Sequence, residues 1–269
     1  MQAPRLVASD VDGTLLGPDE RVPARAFAAI ERLVAAGVGF VLVTGRPPRW
    51  IPPVVAMLPV APLAVCANGG VLYDAAADRV LWARTFGADA LGELAATVAE
   101  VLPAAGLAVE RIGVRADDPD ALFVADPAYR HAWPDGDNRV AERSELFARP
   151  AVKMLVRCAE MSSDAMVAAL APVVGTRADL TFSHPRGLVE LSPPGVTKAT
   201  GLAEVAGRAG VSADQVVAFG DMPNDLEMLR WAGHGVAMGN AHPALREVAD
   251  EVTAHHGEDG LALVLERWF

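Results

Sequence analysis

Residues 5–16 read RLVASDVDGTLL. After Arg5 comes a short apolar run that stops on Asp10, with Asp12 and Gly13 close behind. An apolar run bounded by turn chemistry predicts a buried strand. Gly13 predicts a sharp turn just past its end, because glycine enters backbone regions closed to other residues. Two carboxylates therefore stand at the carboxyl end of a strand, which is where open α/β sheets bind their ligands.

Working outward, the same arrangement recurs. Residues 24–36 have helical spacing and stop at Gly37, and residues 38–43 (VGFVLV) read as a second buried strand ending at Thr44-Gly45-Arg46. Pro47 and Pro48 predict the opening of a helix that runs to about Leu58, and residues 63–67 (LAVCA) predict a third strand ending at Asn68-Gly69-Gly70. Beyond residue 82 the order changes: a helix over 89–103, a strand over 107–113, an irregular Asp- and Pro-rich stretch over 115–150, a strand over 152–158, a helix over 162–173 and two strands near 180–192. Alternation then resumes with a helix over 197–209, a strand over 215–220 ending at Asp221, a helix over 224–232, a strand over 235–238, a helix over 242–249, a short strand near 251–253 and a C-terminal helix. Alternating strands and helices imply a parallel sheet with crossover helices. The predicted fold is α/β, with a Rossmann-like three-layer core formed by residues 1–81 and 188–269 and an α+β cap inserted over 82–187.

Four segments meet at predicted strand ends or the adjoining helix starts: residues 10–14 (DVDGT), residues 44–46 (TGR), Lys198, and residues 220–225 (GDMPND). This set suits phosphoryl transfer. A carboxylate nucleophile forms an acyl phosphate and divides one hard step into two easier ones. Because phosphate is anionic, such a nucleophile needs cations, and Mg2+ with its preference for oxygen ligands answers that need. Asp10 and Asp221 offer carboxylate oxygens, and the Asp12 carbonyl offers another. Lys198, the Thr44 hydroxyl and the amides of Val11, Asp12 and Gly45 offer donors to phosphate oxygens. Asp12 can protonate the leaving alcohol and later take a proton from water. Lys198 also stands out by composition: the chain has 21 arginines and two lysines, Lys153 and Lys198. A solvated surface cation here would be arginine, whereas a tight phosphate site favours a compact ammonium. The same reasoning flags Lys153, but within VKMLV it reads as structural first and as a substrate contact second. Arg46 suits either a substrate clamp or a salt bridge, and Asn68 suits substrate contact or a turn.

These motifs, in this order, resemble the haloacid dehalogenase superfamily, and within it the Cof-type phosphatases with a type IIB cap. The resemblance spans the chain: DVDGTLL (10–16), TGR (44–46), NGG (68–70), PGVTK (194–198), GDMPNDLEML (220–229), GNAHPALREVAD (239–250) and EDGLALVLE (258–266). It implies Asp10 as nucleophile and Asp12 as general acid and base, with Thr44, Gly45 and Lys198 on the phosphate. It also implies magnesium held by Asp10, the Asp12 carbonyl and Asp221, with Asp225 supporting the metal and Asn224 near the phosphate. Gly70, where alanine is common in the family, and Pro223 depart slightly from the pattern.

The net charge of −11 argues against nucleic acid or an anionic membrane as partner. The expected partner is a small phosphate ester, the expected assembly a monomer or small homo-oligomer. Cys66 and Cys158 lie in apolar runs and read as buried, unpaired thiols, so a reducing cytoplasm is the expected location. The six histidines have no metal-ligand spacing, and His255-His256 reads as an inert surface pair. Tyr129 and Trp133 read as cap core or as lining of a substrate opening. Sugar phosphates are the expected substrate class, with flavin mononucleotide and pyridoxal phosphate as the alternatives. A phosphohexomutase shares all the core motifs. A receiver-type signalling module also gathers Asp, Thr and Lys at strand ends, but its phosphorylated aspartate does not lie in the first strand.

Overall fold

The computed structural model describes residues 3–120, 122–131 and 138–269, and forms two compact units. One runs through Leu81 and resumes at Thr197; the other is Trp82–Val196.

The first unit begins with β1 (Leu6–Ser9), α1 (Ala24–Ala35), β2 (Gly39–Val43), α2 (Pro52–Val55) and β3 (Leu63–Cys66), then β4 (Val71–Asp74) and β5 (Arg79–Ala83). The second unit contributes α3 (Ala88–Val101), β6 (Gly106–Glu110), β7 (Phe123–Ala125), β8 (Asn138–Val140), α4 (Arg143–Leu146), β9 (Lys153–Arg157), α5 (Ser163–Val174), β10 (Asp179–Thr181) and β11 (Leu188–Ser192). The chain returns to the first unit with α6 (Lys198–Arg208), β12 (Val216–Gly220), α7 (Leu226–Trp231), β13 (His234–Ala237), α8 (Pro243–Arg246), β14 (Glu251–Val252) and α9 (Gly260–Leu265).

The core sheet has the order β14-β13-β12-β1-β2-β3-β4-β5 among the described residues. Its first six strands are parallel, and β4 pairs antiparallel with β3. Every residue of β1 is buried, as a strand covered on both faces requires. Helix α1 turns Ala26, Ala29, Ile30 and Leu33 inward, the spacing of one apolar helical face, and packs with α9. β1 lies between β2 and β12, in register Ser9 to Leu42 and Ser9 to Phe219. From β1 the chain winds outward to β2 and β3, and later to β12, β13 and β14 on the other side. That reversal is the topological switch point, and Asp10 and Asp221 leave the sheet there. This is the α/β, Rossmann-like core predicted from the sequence.

The second unit holds one sheet in the order β10-β11-β9-β6-β7-β8, antiparallel except for β7 beside β8. Alternation divides its two faces. Val109, Met154, Val156, Val189 and Leu191 join Leu91, Leu94 and Val98 of α3 and Met166, Leu170 and Val174 of α5 in a core. Ala108, Leu155 and Leu188 cluster instead with Phe123, Ala125 and Tyr129.

Several expectations need correction. The helix predicted from Pro47 to Leu58 is a short turn over Pro48–Trp50 followed by the four-residue α2. Proline fits only the first turn of a helix, and Pro52 and Pro53 restart it. The strand predicted over 107–113 ends at Glu110. The stretch over 115–150 contains β7, β8 and α4, and the pair β4 and β5 was not foreseen. The unit boundary lies at Val196 rather than residue 187, because Leu188–Ser192 pairs with β9 and β10 and so belongs to the second sheet. Cys66 is buried, but Cys158 is only half-buried; neither forms a disulfide. Tyr129 is buried in the second unit's core, and Trp133 lies outside the described residues. Among the described residues, no helix is long and apolar enough to cross a membrane.

Candidate active site

Past β1 the chain makes one wide turn over Val11–Leu15, closed by the Leu16 amide donating to the Val11 carbonyl at 3.0 Å. Gly13 takes φ +74° there, and a Cβ on it would come within 2.2 Å of Asp221 Oδ2. Glycine thus permits both the turn and the approach of the loop after β12. Thr44 follows β2, Asn68 follows β3 at φ +55°, and Asp221 follows β12. Lys198 is the first residue of α6, whose start is fixed by a reciprocal capping box. The Thr200 amide donates to Thr197 Oγ1 (3.3 Å) and the Thr197 amide to Thr200 Oγ1 (3.0 Å). At Gly69 a Cβ would lie 2.0 Å from the Thr197 carbonyl oxygen, so only glycine lets the turn after β3 approach the start of α6 so closely.

These elements bring together residues far apart in the chain. Lys198 Nζ donates to Asp10 Oδ1 and to Asp225 Oδ1, each at 2.6 Å. Asp225 Oδ2 accepts the amides of Asp221 (3.0 Å) and Met222 (3.1 Å). Asp221 Oδ2 accepts from Asn240 Nδ2 (3.1 Å), and Thr14 Oγ1 stands 3.5 Å from its Oδ1. Asp10 differs from these. Oδ1 takes the lysine, while Oδ2 accepts no hydrogen bond from any described residue.

A second group adjoins the first. Arg46 grips Asp12 with both arms of its guanidinium, Nε to Oδ2 at 2.8 Å and Nη2 to Oδ1 at 2.6 Å. An ion pair is one of the two readings predicted for Arg46. Thr44, 1% exposed, accepts the Arg46 amide on Oγ1 at 3.0 Å, and its carbonyl accepts the Asn68 amide. Asn68 both turns the chain and accepts from Asn224 Nδ2 at 3.1 Å. Asn224 Oδ1 is buried without a partner. A Cβ on Gly45 would come within 3.1 Å of Asn68 Oδ1. Val11 is fully buried, so only its main chain can serve.

Burial pushes the Asp10 carboxyl up to about 7; Lys198 opposes this, while Asp225 and Asp12 reinforce it. Burial likewise pushes Asp221 up to about 9, with Asp10 and Asp225 adding to it and Lys198 opposing. For Lys198, burial works against the charge, but the carboxylates of Asp10 and Asp225 outweigh it and hold the ammonium above its ordinary range. Burial also disfavours the Arg46 charge, and the Asp12 carboxylate overrides it. One ammonium among three aspartates leaves this cluster short of positive charge.

The donor set fits a hard divalent cation. Asp10, Asp221 and Asp225 each offer an oxygen, with the three atoms within 4.8 Å of one another, and carboxylate oxygens are the preferred ligands of Mg2+. Both Asp225 oxygens are already engaged, which makes it a support rather than a free ligand. A cavity of about 560 Å3 lined by Leu6, Gly39, Val211 and Phe269 opens at the amino ends of the strands, away from these groups.

Sequence reasoning missed Thr14 and Asn240. Asn240 donates to both the Gly13 carbonyl (2.8 Å) and Asp221, and its Oδ1 accepts the His256 amide. Its place just past β13, at another strand end, was the available signal. His256 is not an inert surface residue, since its Nδ1 lies 2.7 Å from the Leu16 carbonyl oxygen and ties down the far side of the 10–16 loop.

A family model described as haloacid dehalogenase-like hydrolase matches residues 7–265. A 5-amino-6-(5-phospho-D-ribitylamino)uracil phosphatase of Bacillus subtilis is 29% identical over 272 residues, covering 99% of this chain and 98% of its own. An HMP-PP phosphatase of Serratia proteamaculans is 30% identical over 276 residues, covering 98% and 95%. Among solved structures, a subclass IIB sugar phosphatase of the HAD superfamily aligns with a TM-score of 0.80 at 20% identity, covering 98% of each chain.

Proposed function

The chain belongs to the haloacid dehalogenase-like hydrolase family, and from that premise we propose that it is a magnesium-dependent phosphatase of small phosphorylated metabolites, sugar phosphates foremost, working through an aspartyl-phosphate on Asp10. The observation that carries this reading is the Asp10 carboxylate: one oxygen is held by Lys198 and the other is unengaged by any described residue, at the switch point of the sheet.

In the first step Asp10 Oδ2 attacks phosphorus, the bond from phosphorus to the ester oxygen breaks, and Asp12 gives its proton to the departing alcohol. In the second step water attacks phosphorus, Asp12 takes the water proton, and phosphate leaves with the Asp10 carboxylate restored. Lys198 places positive charge beside the nucleophile. Thr44 Oγ1 already accepts the Arg46 amide, so its own hydrogen can go to a phosphate oxygen. The main-chain amides of Val11 and Gly45 and the side chain of Asn224 complete the donor set, and Asn68 orients Asn224. Asp10, Asp221 and the Asp12 carbonyl would hold Mg2+, braced by Asp225. When bound there, the ion supplies charge that offsets the repulsion between carboxylate and phosphate.

A phosphorylated polyol or sugar is favoured as substrate by two likenesses: a relative named for a phospho-D-ribityl compound and a fold neighbour named as a sugar phosphatase. That neither cysteine forms a disulfide fits a reducing compartment.

The test is turnover of p-nitrophenyl phosphate and a panel of phosphorylated metabolites, with and without chelator. Phosphate release should require added Mg2+, and Asp10→Asn should lower kcat by about 10^4-fold or more while leaving the fold intact. Near-normal turnover by Asp10→Asn, or isomer formation in place of phosphate release, would refute the reading.

A further inference from the structure

We infer that Arg46 is a positioning residue for Asp12, aiming its carboxyl at the leaving oxygen, and is not a clamp on the phosphate. This rests on the phosphatase reading above and adds a role for a residue which that reading leaves unassigned.

The Asp12 side chain is 60% exposed. An exposed aspartate samples several rotamers, yet proton transfer needs one orientation held within hydrogen-bond reach of the reacting oxygen. Something must therefore impose the aim, and Arg46 is built to do so. Its side chain is only 21% exposed. Its backbone is pinned at both ends of the residue, the amide to Thr44 Oγ1 and the carbonyl to the Ala67 amide, each at 3.0 Å. From that base the guanidinium meets both Asp12 oxygens in a fork, the planar geometry that lysine cannot supply. When one oxygen turns to the leaving group, the other arm still holds the carboxyl. The charge of Arg46 is thus spent on Asp12, and the buried cation beside the nucleophile is Lys198. In the step concerned, the Asp10 oxygen bonds to phosphorus, the phosphorus–oxygen ester bond breaks, and the proton passes from Asp12 to that oxygen.

Two esters of nearly the same shape separate the two roles. Phenoxide is a poor leaving group and needs the proton, whereas p-nitrophenoxide leaves with little help. For each, kcat/KM reports only events through formation of the aspartyl-phosphate. Arg46→Ala should lower kcat/KM for phenyl phosphate by about 10^2-fold, the low end for general acid catalysis, and that for p-nitrophenyl phosphate only by about fivefold. Arg46→Lys, with charge but no fork, should show the same split. Adding Arg46→Ala to Asp12→Asn should cost nothing further, because both act through one group. A crystal structure of Arg46→Ala should show the Asp12 carboxylate in more than one rotamer. Equal losses on the two esters, full rescue by Arg46→Lys, additive losses in the double variant, or no loss at all would each overturn the assignment. Failure of the wild-type protein to turn over either ester with Mg2+ would sink the phosphatase reading itself, and this assignment with it.

Discussion

The chain's two lysines are both buried in ion pairs, one in each unit, and they do different things. Lys153 opens β9 and meets Glu190 of the adjacent β11 at 2.5 Å; the other Glu190 oxygen accepts from Ser183 Oγ at 2.6 Å. Neighbouring strands supply that pair, two residues along β9 from Leu155, the ladder partner of Glu190. Both carboxylate oxygens are used, and the pair is part of a sheet. Lys198 faces two aspartates from separate loops, with a third nearby, and one oxygen of Asp10 is left over. A buried charge becomes chemically available where carboxylates outnumber the cation and regular pairing has ended. Where each oxygen has a partner and the pair spans neighbouring strands, it is structure.

Removing each lysine is the harshest test of that contrast. Breaking a buried ion pair costs about 3–5 kcal/mol, so Lys198→Met and Lys153→Met should both melt lower. Only Lys198→Met should also abolish turnover of p-nitrophenyl phosphate at a temperature where the protein is folded. A Lys153→Met protein with wild-type melting but no turnover would erase the distinction.

The charge shortage of the Lys198 cluster should show in stability against pH. Without divalent cations, Asp10 and Asp221 are raised from 3.8 to about 7 and about 9. The folded chain then binds more protons than the unfolded chain above 3.8. The stability they contribute is complete below that pH and is lost as pH rises through 7 and 9. Added Mg2+ at 100 times its dissociation constant should restore about 2.7 kcal/mol, with a larger rise in melting temperature at pH 8 than at pH 5.5, where protons compete. A melting temperature independent of pH, or a larger magnesium effect at the lower pH, would contradict the geometry described for the cluster.

The smallest effects concern glycines. Gly69→Ala would drive a Cβ into the Thr197 carbonyl at φ +100°, whereas Gly175, at φ +59°, has nothing within 4 Å of the same atom. The first substitution should cost about 2 kcal/mol from strain and overpacking together and should impair turnover by moving Lys198. The second should cost about 1 kcal/mol of backbone strain alone. Equal melting temperatures for the two would mean that the close approach at α6 is not required.

Much of the site was legible because each of its residues follows an apolar run or opens a helix, and local pattern reports such places well. Lys198 was legible by composition, since a lysine in an arginine-rich chain marks a position where shape matters. Less visible were relations between distant residues. Arg46 and Asp12 are 34 positions apart, and His256 and Leu16 are 240 apart; nothing in either local sequence announces its partner. β5 was missed because its residues are half-exposed without clean alternation. The apolar run Leu188–Ser192 suits either sheet, and only its pairing with β9 and β10 assigned it to the second unit.

By itself, the order of residues determined that this chain builds a mostly parallel sheet and that Asp10, Thr44, Lys198 and Asp221 stand at element ends, because apolar periodicity and turn residues act over a few positions. Which oxygen of Asp10 is engaged, which carboxylate Arg46 holds and where the second unit stops were decided only when the strands lay side by side. Those outcomes depend on distances between groups that the chain brings together from its far ends, and such distances are set by packing.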